Sequence, residues 1–273
     1  MRKAIFFLLP CVASLPLTPR LQAQTQSAAA TQNQAQTQPV YDMQDGGTRV
    51  MLHSIVVPSK ANAPFTTSLQ TEWVRTFDDG GGVTLVNERR IARDTKGRIY
   101  QERWYLVPKD GKEKSFMTAI EISDPEEHTL YTCRTETHVC DPTHYALTAS
   151  ATYQAAASAT GPLPNDEGYA IHEDLGQQLI SGVETVGTRE STTYNQGVFG
   201  NDRQYTTSRE FWYAPQLGFN LLSKRSDPRF GTQTFTIVNL SLGEPDAQLF
   251  ALPEGFRVVD HRTTAPSAAP GAN

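Results

Sequence analysis

The chain has 273 residues, 38% of them hydrophobic and 19% charged, with 24 Lys+Arg against 29 Asp+Glu and a formal net charge of -5. That balance argues against a general nucleic-acid binder, which needs a basic stripe. No stretch reaches the roughly 18 apolar residues of a membrane-spanning helix, and three cysteines are too few for a disulfide-rich scaffold.

Met1-Arg2-Lys3 is a short positive segment, and residues 4–17 are an apolar run broken by Pro10 and Pro16. Leu21-Gln22-Ala23 then offers a small residue for cleavage before Gln24. This is the pattern of a secretory signal peptide, so residues 1–23 are expected to be removed and the protein to be periplasmic or secreted. Cys11 follows Pro10 in the middle of the apolar run, not a small residue at its end, so it is expected to leave with the signal. Residues 24–40 are Gln, Ala and Thr with almost no apolar bulk, the composition of a disordered linker. The tail 263–273, rich in Ala, Pro and Thr, is of the same kind, which leaves 41–262 as one folded domain.

Along that domain, alternating patterns recur between turn residues. Strands are expected over 49–57, 69–77, 83–93, 98–107, 115–123, 128–134, 180–194, 205–213, 219–226 and 232–242. Asp94-Thr95-Lys96-Gly97 marks a tight hairpin, and Gly182 and Gly187 mark bulges or bends. Strand follows strand with short turns, which excludes the helical crossovers of a parallel sheet. The fold class is mainly β, a single antiparallel sheet with one or two short helices. Those helices are expected at 174–179, capped by Asp174, and at 244–250, capped by Asp246. The stretch 148–168, rich in Ala, Ser, Thr and Gly, reads as a flexible connection between two sheet halves.

Cys133 and Cys140 remain after cleavage. On neighbouring hairpin strands they would face each other, and in an exported chain a disulfide is the default. The alternative is a zinc site made with His138 and His144, but the spacing matches no common structural zinc pattern. Four strands carry adjacent Arg and Glu: Glu88-Arg89, Glu102-Arg103, Arg189-Glu190 and Arg209-Glu210. Adjacent strand residues point to opposite faces. The bland account is a solvated face of weak ion pairs. The functional account is a row of guanidinium groups, Arg89, Arg103, Arg189 and Arg209, gathered in one region of the sheet around an anionic head group. Strands such as Tyr100-Glu102-Trp104 and Arg209-Phe211-Tyr213 set large aromatics beside charge, so Trp104 and Trp212 join the candidate ligand-binding residues.

No G-x-S-x-G, H-E-x-x-H or phosphate-loop motif occurs, and no cofactor or metal is expected. His172-Glu173-Asp174 is explained by acid at a helix start, and Gly80-Gly81-Gly82 by a hairpin loop.

The runs Pro64-Phe65, Arg93-Asp94, Gly97-Arg98-Ile99 and Gln101-Glu102-Arg103 open a further pattern. It continues through Gly176, Gly182-Val183, Gly187-Thr188-Arg189, Gly200-Asn201-Asp202, Glu210, Trp212, Ser226-Asp227-Pro228-Arg229, Glu244-Pro245-Asp246, Leu249-Phe250 and Pro253. In these residues the chain resembles a family of uncharacterised exported bacterial proteins. More distantly it resembles the lipoprotein-carrier (LolA/RseB-like) fold. That resemblance implies a strongly curved antiparallel half-barrel whose concave side holds acyl chains or protein segments. The expected function is a non-enzymatic exported binding protein for a lipid, lipoprotein or other amphipathic ligand. An alternative is a structural or interaction module with an envelope protein as partner, and a third is a hydrolase with an unrecognised site.

Overall fold

A computed structural model describes residues 52, 54–145 and 159–260, all within the unit Arg49–Asn273. The expected signal peptide, linker and tail lie outside the described residues, as does most of the expected flexible connection.

The alternating segments fold into strands β1 Phe65–Thr76, β2 Gly82–Arg93, β3 Ile99–Trp104, β4 Val107–Pro108, β5 Met117–Asp124, β6 Thr129–Arg134 and β7 Val139–His144. They continue with β8 Gly161–Pro162, β9 Gly168–Ile180, β10 Val183–Tyr194, β11 Tyr205–Ala214, β12 Phe219–Asp227, β13 Gly231–Leu242 and β14 Arg257–Val258. All join one unclosed curved sheet in the order β14-β7-β6-β5-β3-β2-β1-β13-β12-β11-β10-β9-β8, with β4 beside β2. Every pairing is antiparallel except β14 with β7, a two-residue parallel contact. The central join is β1 with β13, which brings the first and last long strands together.

Each sheet face has its own core. Leu69, Ile91, Phe235, Ile237 and Leu221 are fully buried in one cluster, with Phe65, Phe219 and Leu217. On the other side Ala92, Tyr100, Ile120, Ile122 and the two cysteines pack under Phe250. We call these the Leu69 face and the Glu102 face. Phe250 belongs to a single 3-10 turn, Ala247–Phe250, whose Asp246 cap accepts from Gln248 N at 3.0 Å.

The Leu69 core is covered by the chain itself. Residues 54–64 lie over it without pairing into the sheet, and Ile55 is buried in the cluster. Arg93, fully buried, fastens this strap. Its guanidinium donates to Ala63 O at 2.9 Å, Pro58 O at 2.9 Å and Leu217 O at 2.8 Å, between the Phe65 and Phe219 rings. Lys60 and Ser59 add bonds to Gln216 O at 2.9 Å and Gly97 O at 2.8 Å.

Two expected elements differ. The described part of 49–57 is an extended strap, because Ile55 and Val57 serve the Leu69 core from above and its backbone has no strand partner. The expected helix at 174–179 is the C-terminal half of β9. There Asp174 Oδ1 accepts from Gly176 N at 2.8 Å, a local turn inside a bulge and not a helix cap. Twelve register pairs with β10 override a polar sequence with no helical apolar stripe. The bulge falls opposite Gly187, as the sequence indicated.

Candidate functional site

Sheet register decides which candidate residues share a face, because directly paired residues point the same way. Across the centre of the sheet one row runs Arg209, Arg225, Gln233, Trp73, Leu85. The row beside it runs Phe211, Ser223, Phe235, Thr71, Asn87. Phe235 and Leu69 tie both rows to the Leu69 face, and Arg89 is in register with Leu69. Arg189, Glu210, Lys224, Thr234 and Glu72 form the corresponding row on the opposite face.

The six sequence-chosen residues are therefore not gathered in one place. Arg89, Arg103 and Arg209 belong to the Leu69 face. Trp104, Arg189 and Trp212 belong to the Glu102 face. Within each face they separate again, because β1, β13 and β12 stand between β2 and β11. The single arginine row expected from the Arg/Glu pairs is thus divided between the two faces and, within each, between distant strands. The physical reason is long-range pairing: the sequence shows alternation within a strand but not which strands meet.

Arg89 and Arg103 lie in a half-buried polar cluster. Arg89 donates to Gln101 Oε1 at 3.1 Å and to Ser54 Oγ at 2.9 Å. Arg103 pairs with Glu121 through two bonds, of 3.0 and 2.7 Å. Burial lowers the Arg89 pKa to about 10, helped by the charge of Arg103. Here the cations are already answered by the protein's own groups.

Trp104 and Trp212 are also committed. Trp104 Nε1 donates to Glu102 Oε2 and Trp212 Nε1 to Glu210 Oε1, each at 2.8 Å. Arg90 pairs with Glu102 at 3.2 Å and Arg189 with Glu210 at 2.9 Å. Burial alone would raise both carboxyl pKa values. The tryptophan bonds and the arginine contacts outweigh it, and both carboxyls stay below the usual range.

The central rows of the Leu69 face are different. Arg225 is in register with Arg209, and its pKa is lowered by burial and then by that like charge. Gln233 is buried between Arg225 and Trp73, and its Oε1 has no hydrogen-bond partner. Asn87 Oδ1 is also buried and unpartnered, although its amide donates to Trp104 O at 2.7 Å. Phe211, Trp73 and Leu85 supply the half-buried apolar surface around these groups. Glu190 pairs in register with Arg209, and Asp227 lies next along β12, held by Arg229 at 2.8 Å. The arrangement offers two guanidinium groups to an anion, two amide oxygens to a donor, and rings to a hydrocarbon chain.

Sequence reasoning passed over Arg225, Gln233, Trp73 and Asn87. The available signal was the switch along β12 from Leu221 through Ser223 to Arg225 and Asp227, all at two-residue spacing.

Two recesses of about 270 and 540 Å³ lie away from these rows. One is lined by Gln177, Val183, Glu184 and Gln216, the other by Tyr105, Glu113, Lys114 and Phe116. None of the six expected residues lines either.

Cys133 and Cys140 are in register on β6 and β7 and are joined by a disulfide. The bond removes both thiolates from the zinc alternative. His144 Nδ1 instead meets Thr129 Oγ1 at 2.8 Å, and His138 lies against Phe256 with ring centroids 5.0 Å apart. Among the described residues no cluster of three His, Cys, Asp or Glu is placed to hold a metal ion, and no helix is long and apolar enough to cross a membrane.

No family model matches the chain, and no curated protein matches it in sequence. Solved structures are similar to it at low identity. An uncharacterised conserved protein from Thermus thermophilus is 10% identical, with a TM-score of 0.37, covering 72% of this chain and 90% of that one. The MucA/MucB complex of Pseudomonas aeruginosa gives 12% identity and a TM-score of 0.34, covering 72% of this chain and 58% of that one. This chain thus spans little more than half the length of that structure. The LolA superfamily protein NE2245 from Nitrosomonas europaea gives 9% and 0.27, covering 69% and 90%.

Proposed function

We propose that the protein is a non-enzymatic binding protein of the cell envelope that holds an amphipathic, anionic ligand on the central rows of its Leu69 face. The observation that carries this reading is the juxtaposition of Arg209 and Arg225 with the unpartnered buried oxygen of Gln233, which is in register with Arg225. Buried polar atoms are normally hydrogen-bonded, and like charges on directly opposed strand positions are unfavourable. A ligand with an anionic head and a hydroxyl or amide donor answers both at once, while its chain lies on Trp73, Phe211 and Leu85.

Arg89 and Arg103 flank this surface and support its shape, while Trp104, Arg189 and Trp212 stabilise the opposite face. A lipid or the acyl end of a lipoprotein has the required chemistry. Export by a cleaved signal peptide belongs to the same proposal and places the protein where such ligands occur.

The test is organic extraction of protein isolated from its producing cell, followed by mass spectrometry of the extract. An anionic amphiphile near one equivalent per chain is expected, and its recovery should fall at least tenfold from an Arg209→Gln/Arg225→Gln protein. A lipid-free extract from the wild type would refute the reading.

A structural role is favoured by one observation. The apolar core of the Leu69 face is already covered by residues 54–64, so that part of the face has no room for a ligand. The binding reading is therefore confined to the rows beyond it.

A further inference from the structure

Large exposed aromatic side chains among the described residues are Phe77, Tyr105, Phe116, Tyr169, Phe199 and Tyr213. Five of the six stand at one end of the sheet. The C-terminal ends of β1, β3 and β10 and the N-terminal ends of β2, β5, β9 and β11 share that end, because each pairs antiparallel with its neighbour. Phe77 lies in the β1–β2 loop and is 52% exposed. Tyr105 and Phe116 bracket the β3–β5 connection at 55% and 56%, and Phe199 in the β10–β11 loop is 59% exposed. Tyr169, at 47%, begins β9. Only Tyr213 is near the opposite end. Exposed aliphatic residues show no such segregation: Val74 and Ile171 stand toward this end, Leu179 and Leu242 away from it.

These aromatics are held outward by the backbone. Tyr105 N donates to Phe116 O at 3.0 Å, and the two rings stack with centroids 5.2 Å apart. Phe77 is fixed by bonds to Gly81 O at 2.7 Å and from Gly80 N at 3.0 Å. Phe199 rests its edge on Tyr194 at 5.0 Å with Arg229 beneath it. Separate loops bearing Phe77, the stacked Tyr105 and Phe116, and Phe199 do not make the contiguous desolvated centre of a protein interface. They suit a fluid surface that each loop enters independently, at the depth where aromatic rings prefer to sit. The charges in these loops are mixed, with Lys109, Lys112 and Lys114 among Asp78, Asp79, Asp110 and Glu113. The occupant is thus not selected by net charge.

We propose that this aromatic end docks on a neutral lipid bilayer surface. The inference stands apart from the ligand proposed for the Leu69 face, since none of its residues lies in those rows. Protein isolated from its producing cell is sedimented with phosphatidylcholine vesicles at low and high salt. Wild type should co-sediment, with little loss at high salt. A protein carrying Phe77→Ser, Tyr105→Ser, Phe116→Ser and Phe199→Ser should bind at least tenfold more weakly, whereas Tyr213→Ser should bind as wild type does. Hydrogen exchange on the wild type, with and without vesicles, gives a readout independent of the variant's folding, and loops 77–81, 105–116 and 195–204 should gain protection. Failure of wild type to co-sediment, equal loss in Tyr213→Ser, or protection confined to other segments would overturn the proposal.

Discussion

Trp212 donates its indole N–H to Glu210, two residues earlier on the same face of β11, at 2.8 Å. Trp104 repeats the relationship with Glu102 on β3, and in each case an arginine from the preceding strand, Arg189 or Arg90, closes the group. The sequence carries the repeat as Glu102-Arg103-Trp104-Tyr105 and Glu210-Phe211-Trp212-Tyr213. At Gly187 the Trp212 ring lies so close that an added Cβ would meet it at 2.5 Å, so only glycine fits beneath it.

From this follows a separation of stability from binding. Trp104→Phe and Trp212→Phe should each lose about 1–2 kcal/mol of unfolding free energy, because each leaves a carboxylate, buried Glu102 or partly buried Glu210, short of a donor. Neither should alter ligand recovery. Urea unfolding and solvent extraction on the same preparations check both statements.

Acid should act through the same two carboxyls. Glu102 and Glu210 are held below the usual carboxylate range, so they stabilise the fold above their unfolded pKa, near 4.3. That contribution is lost as pH falls through the lower folded-state values. Stability measured by denaturant titration should drop on acidification below about pH 4.3, and a Glu102→Gln/Glu210→Gln protein should show a shallower drop. An unchanged acid profile in that variant would count against the assignment.

Arg93 should be the most sensitive single position in the strap. Its removal leaves three carbonyls without their donor and detaches residues 54–64 from the sheet. Arg93→Ala should cost about 3–5 kcal/mol. Arg93→Lys should recover only a part, since one ammonium lacks the fork that spans Pro58, Ala63 and Leu217. The urea midpoint and the protease sensitivity of residues 54–64 report the two effects.

The Cys133–Cys140 bond closes a short hairpin loop. A Cys133→Ser/Cys140→Ser protein should be less stable by about 2.5 kcal/mol on the chain-entropy account. The oxidised protein should gain two hydrogens in mass on reduction.

Much of the sheet was legible in the chain. Alternation marked β2, β6, β12 and β13 to within a few residues, and Asp94 to Gly97 marked the β2–β3 turn. The disulfide followed from hairpin spacing. Residues 54–57 and 174–179 were misplaced because apolar strap residues look like a strand, and an edge strand's polar run looks like a helix start. The candidate site was less legible. Arg225 and Gln233 become neighbours of Trp73 only through the β12–β13 and β13–β1 registers. Nothing local to any one strand encodes those registers. Trp104 and Trp212 were visible as aromatics beside charge, but their indoles serve internal carboxylates.

The central claim is that an anionic amphiphile binds beside Trp73. The chain has three tryptophans, and Trp104 and Trp212 belong to the opposite face. Delipidated protein should therefore be titrated with a long-chain fatty acid while tryptophan emission is followed. The account predicts a saturable emission shift in the wild type, abolished in Trp73→Phe and weakened at least tenfold in Arg209→Gln/Arg225→Gln. An equal shift in Trp73→Phe, or none in the wild type, would contradict it.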